Sequence, residues 1–432
     1  MWPRRCGSAR DRARATPCPQ LAAQIRLQNR RRHVGKRATG TGALPHYLDY
    51  AATSAIRPPE VGRAMAAFLD GVACTPGRGG HSGAVEAARL AFRCRRALSR
   101  TLGLPGDPGR IAFMHNATHA LNTALWGLLG PGDVLVISQY DHNAVLRPAH
   151  HLSRDRGVGV RMLSGSPDGG VDLEEAATLL DGASVLVANV ASNVLGTLLP
   201  MRELSRIAHD AGAVVVADVA QSAGHSVESP ATQGADVVAF TGHKGLLGPQ
   251  GMGGLWAREG IEVDPLLSGG TGGDSRNREM PAAMPDRLEA GTGNSPGMAG
   301  LLAGCAFLRV TGVGAIHVRE LSLKARLRDG LDCIAGLQVL SPPGPEGVPV
   351  VTVKADGMDS ASLAGRLDSE YGVQTRAGLH CAPEVHRILG TTESGAVRFS
   401  LGWASTQEDV DAAVAGVAQL LRPVSVPVAR AG

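Results

Sequence analysis

The chain has 432 residues, enough for two or three domains or one large α/β body with an appended lobe. Hydrophobic residues at 44% and charged residues at 19% argue against a disordered chain, no apolar run reaches the roughly 18 residues of a bilayer span, and aromatics at 3% leave little for base-stacking platforms. Net charge is +4, yet residues 1–40 carry eleven Lys/Arg against Asp11 alone, so the remainder is mildly acidic and nucleic acid is not an expected partner.

In chain order, residues 1–43 come first. They are acid-poor and Arg-rich like an organellar transit peptide, but lack a clean amphipathic face, which favours a disordered extension or a start codon assigned too early. From Tyr47 onward, apolar runs at Ile111–Met114, Val134–Ser138, Val185–Val190, Val214–Asp218 and Val237–Phe240 read as buried strands. Between them, Val85–Leu102, Thr118–Leu129, Leu173–Leu180 and Arg202–Ala211 carry helical apolar spacing, with Asp172 as N-cap of the third. This alternation predicts an α/β fold: a mostly parallel central sheet with helices on both faces, over residues 58–304. The Gly-rich stretch Leu267–Asn294 reads as a long functional loop. Helices at Gly297–Val310, Ile316–Ile334 and Gln407–Leu421, with strands at Val350–Val353 and Val397–Leu401, predict a smaller α+β domain from residues 44–57 and 305–424, followed by a tail, 425–432.

Seven cysteines, an odd number without CxxC or Cys/His ligand spacing, disfavour a disulfide framework and a metal site and suit a reducing cytoplasm. Cys94, Cys305 and Cys333 read as buried apolar fillers. Cys381 differs, because it lies between His380 and Pro383, after Gly378 and near Arg376, a setting that exposes a thiol and favours thiolate.

Chemistry concentrates between Val214 and Gly251. Asp218 ends one strand, where open α/β sheets bind ligands, and Lys244 follows the next strand among glycines. A desolvated amine is a nucleophile towards an aldehyde, and a carboxylate nearby keeps a pyridine nitrogen protonated, which together are the demands of pyridoxal phosphate. Taken alone, Asp218 reads as a turn residue or N-cap, Lys244 as a surface charge, His142 as the cap of the helix that follows it, and Thr292 as an ordinary turn residue. The start of the helix at Ala117 and Thr118 offers unpaired N–H groups to an anion. Asn193 follows a buried strand and needs a partner if buried.

The chain resembles the class V aminotransferase-fold family of pyridoxal-phosphate enzymes, most closely its cysteine desulfurase/selenocysteine lyase branch. The resemblance spans about Tyr47 to Leu421 and rests on collinear strings that include YLDYAATS (47–54), GRGGHS (77–82), NATHALN (116–122), DHNAVLRP (141–148), ASNVLGT (191–197), DVAQSAGH (218–225), TGHKGLLGPQG (241–251), GGTGG (269–273), EAGTGN (289–294), RAGLHCAP (376–383) and GAVRFS (395–400). It implies fold type I with Lys244 as the cofactor-bearing lysine, Asp218 as partner of the pyridine nitrogen, Gln221 as donor to the ring hydroxyl and His142 stacked on the ring. It further implies that Ala117, Thr118, Thr241 and His243 hold the phosphate, that Asn193 contacts cofactor or substrate, and that Thr292 reaches the neighbouring subunit's cofactor in a homodimer. Arg398 would bind the substrate carboxylate, with Arg376 as a second anion contact or a loop-ordering residue, though a salt bridge closing the small lobe is the plainer reading of Arg398. His119 replaces a commonly acidic residue, and Gly293 stands where Pro is frequent.

The function implied is desulfuration of L-cysteine to L-alanine, with Lys244 moving the Cα proton and Cys381 taking the sulfur as a persulfide for an acceptor protein or small thiol. Alternatives within the fold are a selenocysteine lyase, a C–S β-lyase, an epimerase or an aminotransferase of specialised metabolism, in which Cys381 is incidental. Outside enzymes, a cofactor-free regulatory scaffold acting through the basic tail would also fit the composition.

Overall fold

A computed structural model describes residues 45–422, except 78, 227, 273–275 and 345. The expected extension 1–43 and tail 425–432 lie outside the described residues. The chain enters through β1 (His46–Tyr47) and the helices α1 (Pro59–Asp70) and α2 (Ser82–Leu102). Strands and helices then alternate through β2 (Ile111–Met114), α3 (Ala117–Leu128), β3 (Val134–Ser138), α4 (Asn143–Arg156), β4 (Gly159–Leu163), α5 (Leu173–Leu180), β5 (Val185–Asn189), α6 (Met201–Asp210) and β6 (Val214–Asp218). β7 (Val237–Thr241) and β8 (Gly253–Ala257) complete a seven-stranded sheet of order β2-β8-β7-β6-β5-β3-β4. The pairings among β3 to β7 are parallel. No helix links β7 to β8, so the chain doubles back and β8 runs antiparallel to β7 and β2.

Side-chain alternation along these strands supplies two cores. Val215, Ala217, Val238 and Phe240 pack on one face with Leu98 of α2 and Leu204 of α6, whereas Val216, Val237 and Ala239 pack on the other with Leu121 of α3 and Val145 of α4. Each fully buried Val or Leu contributes about 1.5–3 kcal/mol. Asp172 caps α5 as its position predicts, accepting from the N–H groups of Glu174 and Glu175.

The remaining chain forms α7 (Ser295–Thr311), α8 (Val313–Asp332), β9 (Leu337–Val339), β10 (Val350–Ala355), α9 (Ser360–Tyr371), β11 (Val373–Gln374), β12 (Arg376–Gly378), α10 (Pro383–Ile388), β13 (Ala396–Ser400) and α11 (Gln407–Leu420). An antiparallel sheet, β12-β13-β10-β9, packs Val351, Val353, Val397 and Phe399 against Leu327, Leu363 and Val410 of the helices α8, α9 and α11. β1 pairs in parallel with β11 in a separate two-stranded sheet, and a parallel bridge from Asp49 to Ser400 of β13 ties this entry of the described chain to the four-stranded sheet. Among the described residues of 258–294 there is neither helix nor strand, in keeping with the loop expected there. No single helix among the described residues is long and apolar enough to cross a membrane.

One expectation is corrected. Cys333 is exposed, because α8 ends at Asp332 and the thiol sits at its C-cap beyond the buried stripe Leu323–Leu327–Leu331. Cys94 and Cys305 are buried as expected.

Candidate active site

Three neighbouring parallel strands, β5, β6 and β7, end in Asn189, Asp218 and Thr241, with Asn189 and Asp218 in direct register. Their carboxyl ends form the floor of a cavity of about 240 Å³ that Lys244 enters from the loop after β7. That loop meets the turn after Asp218 by backbone contact. A methyl group on Gly245 would lie 2.3 Å from the Ala223 carbonyl oxygen, and one on Gly224, at φ +83°, 2.2 Å from the Gly245 oxygen. Only two glycines allow the turn after Asp218 and the loop bearing Lys244 to touch.

Burial pushes the Lys244 amine down to about 8; Asp218 opposes this, and the Arg398 and Arg376 guanidiniums add to it. Asp218 is buried and accepts the Ala220 N–H at 2.9 Å; burial raises its carboxyl, against the pull of that N–H and of Lys244. His142 caps α4, its Nδ1 accepting the Ala144 N–H at 3.0 Å, and it lines the cavity as well. The capping role and the site role are therefore both present. Burial, with Lys244 and the nearby arginines, holds His142 down to about 4, so its one proton resides on Nε2.

Ala117 and Thr118, which also line the cavity, open α3, where first-turn N–H groups lack helical partners, while the Asn116 side chain caps His119. His243 Nδ1 lies 3.0 Å from Thr53 Oγ1, and burial with Lys244 and Arg57 holds this imidazole down to about 4. Gln221 donates to the Ala51 carbonyl at 3.2 Å, which leaves its amide a second N–H.

Arg398 is 1% exposed, its guanidinium held by Asp49 at 3.0 Å and by the Asn193 carbonyl at 3.0 Å. The salt bridge of the plainer reading exists, but it leaves Nε buried without a partner among the described residues. Asn193 donates to the His380 carbonyl at 2.7 Å, and its Oδ1 has no partner among the described residues. Cys381 is half-buried in the loop between β12 and α10, with Arg376 Nη2 donating to its sulfur at 3.4 Å. It does not line the cavity, but its neighbours His380 and Arg376 do. His380 and Cys381 both adopt left-handed backbone, at φ +51° and +57°. Such positions cost about 1–3 kcal/mol each and persist only where the surroundings enforce them. Thr292 is exposed and outside its own chain's cavity.

Sequence reasoning missed Asn189, Asn116, Asp49 and His380. Asn189 had a signal, since VLVAN and VVVAD are paired apolar runs that both end in a polar residue. Asp49 had none.

The aminotransferase class-V family model matches residues 46–413. The chain belongs to the class-V aminotransferase family. Among curated relatives of this family, a probable cysteine desulfurase of Methanothermobacter thermautotrophicus is 33% identical over 84% of this chain and 92% of its own length. A probable cysteine desulfurase of Mycobacterium leprae is 33% identical over 89% and 94%. The apo cysteine desulfurase of Thermococcus onnurineus superposes with a TM-score of 0.80 at 30% identity, covering 87% of this chain and 94% of that one. The cysteine desulfurase CsdA of Escherichia coli does so with a TM-score of 0.77 at 27% identity, over 87% and 94%. The fold is the fold type I architecture that the resemblance implies.

Proposed function

We propose that the chain is a pyridoxal-phosphate-dependent cysteine desulfurase acting as a homodimer. The observation that carries this is the Lys244 amine and Asp218 carboxylate in one cavity whose lining residues include Arg376, which donates to the Cys381 thiol, and His380, the chain neighbour of that cysteine.

The residues present fit the cofactor. Thr241 Oγ1, Asn189 Oδ1, Asn193 Oδ1 and Arg398 Nε are buried without partners among the described residues, and all four residues line the cavity. Each such orphan costs about 1–3 kcal/mol, so the cavity suits a ligand rich in both donors and acceptors. Lys244 would hold the cofactor's aldehyde carbon, Asp218 its ring nitrogen, Gln221 its hydroxyl, and Ala117, Thr118, Thr241 and His243 its phosphate, with His142 against the ring. When bound, pyridoxal phosphate supplies an electron sink for the carbon that bears the substrate's amine.

The protein's own groups do the rest. Arg398, pre-oriented by Asp49 and Asn193, binds and aligns the L-cysteine carboxylate. Lys244 Nζ, with its affinity for protons lowered by burial, takes and returns the Cα proton. His142, which lines the same cavity, carries its proton on Nε2. Cys381 Sγ takes the substrate sulfur: an S–S bond forms, the Cβ–Sγ bond breaks with its electron pair left on carbon, and that carbon gains a proton. L-cysteine and a thiol thus give L-alanine and a persulfide, with no outside oxidant or reductant, and the sulfur passes to an acceptor protein or small thiol. The exposed position of Thr292 supports its reaching a neighbouring subunit's site rather than its own.

Mass spectrometry after incubation with L-cysteine tests the reading: Cys381 should gain one sulfur atom and L-alanine should accumulate, with alanine lost in Lys244→Ala and persulfide lost in Cys381→Ala. Full alanine release by Cys381→Ala, or pyruvate and ammonia as products, would overturn it.

A further inference from the structure

Cysteine desulfuration asks the loop of residues 376–382 to hold one thiol still, yet His380 and Cys381 occupy left-handed backbone without a glycine to relieve either position. Behind the loop runs a chain of buried side chains. His380 Nε2 lies 3.1 Å from the Arg376 carbonyl, His380 Nδ1 lies 3.1 Å from His386 Nε2, and His386 Nδ1 lies 2.8 Å from Thr391 Oγ1. His380, His386 and Thr391 are all buried.

The proton positions follow from valence. A carbonyl only accepts, so His380 carries its proton on Nε2. A neutral imidazole has one N–H, so His380 Nδ1 accepts from His386 Nε2, and His386 Nδ1 accepts the Thr391 hydroxyl. Burial keeps both rings neutral, His380 down to about 2 and His386 down to about 4. The series therefore points one way, from Thr391 to the backbone of Arg376.

Both ends have consequences. The carbonyl gripped by His380 belongs to the residue whose guanidinium donates to Cys381 Sγ, and His380 is the chain neighbour of Cys381. The other end is anchored in α10 and the turn after it, where the Thr391 N–H donates to the His386 carbonyl at 2.8 Å. Two further bonds hold the loop's carbonyls, Asn193 Nδ2 to His380 and the Asn143 N–H to Cys381, each at 2.7 Å. Neither His386 nor Thr391 lines the cavity.

We propose that His386 and Thr391 are positioning residues for the Cys381 thiol, holding the left-handed His380–Cys381 backbone through the tautomer-locked His380 ring so that Sγ stays beside the Arg376 guanidinium. The inference rests on the desulfurase reading for its purpose, while its geometry can be tested separately.

Thr391→Val removes the hydroxyl at nearly constant volume, Thr391→Ser restores it, and His386→Phe removes both ring nitrogens. In amide hydrogen exchange without substrate, residues 379–382 should exchange at least tenfold faster in Thr391→Val and His386→Phe, and at the parent rate in Thr391→Ser, with the seven-stranded sheet unchanged. In the holoenzyme the first-turnover formation of Cys381 persulfide should slow at least tenfold in the same two variants, with cofactor absorbance retained. Exchange within twofold of the parent at 379–382, or equal acceleration throughout the chain, overturns the proposal. A parent protein that loads no sulfur on Cys381 would refute the desulfurase reading instead, and the exchange result would then decide this proposal by itself.

Discussion

Asp141 stands beside His142 with no solvent exposure, accepting the Ser138 N–H at 2.6 Å and the Asn189 N–H at 3.1 Å. Burial pushes its carboxyl from 3.8 up to about 7; those N–H donors resist and the Asp218 carboxylate adds to the rise. Between these two values the native protein binds more protons than the unfolded chain, so the group's contribution to stability is full below pH 3.8 and is lost as pH rises to about 7. Asparagine has no such titration. The stability difference between Asp141→Asn and the parent, from urea midpoints, should therefore move in the variant's favour by about 4 kcal/mol between about pH 4 and about pH 8. A difference independent of pH would show that the carboxyl is ionised throughout. Arg398 makes the converse case, a buried cation whose charge is met by one carboxylate. Asp49→Asn leaves it uncompensated and should destabilise the protein by about 3–5 kcal/mol in the same measurement. Arg398→Lys keeps the charge but loses the planar fork, so KM for L-cysteine should rise about tenfold or more.

At the scale of elements, the contact of Gly224 with Gly245 sets the distance between the strand end that carries Asp218 and the loop that carries Lys244. Gly245→Ala places a methyl group 2.3 Å from the Ala223 oxygen, so one of the two segments must move. A displacement near 1 Å at reacting groups costs about a hundredfold in rate. The expected result is a folded protein with kcat/KM lowered about a hundredfold and cofactor absorbance weakened, and a spectrum and rate matching the parent would show that the loop yields elsewhere. The same scale explains what the sequence made legible. Val185–Asn189, Val214–Asp218 and Val237–Thr241 are buried on both faces, so they read as unbroken apolar runs; Asp218 and Thr241 are site candidates from the sequence, whereas Asn189, which ends its run in the same way, is missed. β8, Gly-Gly-Leu-Trp-Ala, is as deeply buried but opens with two glycines that read as loop, and the edge strand β4 is partly exposed and shows no clean alternation. Within the site, Asp218 and Lys244 were legible because each follows its strand closely. Asp49 and Arg398 lie 349 residues apart, and only the second sheet brings them together. The series from Thr391 through His386 to His380 was hidden for another reason: hydrogen-bond direction depends on ring orientation, which residue spacing does not encode.

For the whole molecule, the proposed homodimer makes a prediction that a single chain cannot satisfy. Thr292 is exposed and is not among the residues that line its own chain's cavity, while Lys244 is. If Thr292 serves the neighbouring subunit's phosphate, Thr292→Asp sets a carboxylate against that anion and should disable the neighbour's site through like-charge repulsion. Lys244→Ala disables its own. A mixed dimer of one Thr292→Asp chain and one Lys244→Ala chain then holds one site with every group intact: the site in the Thr292→Asp chain has its own Lys244 and takes an unaltered Thr292 from the other chain. Its counterpart lacks both. Co-expressed with separate affinity tags and purified through both, this mixed dimer should release alanine at about half the parent rate, although each variant alone is nearly inactive. Were Thr292 to act within its own chain, both sites of the mixed dimer would be defective and no activity would return, so the recovered rate separates an active site shared between subunits from two that are self-contained.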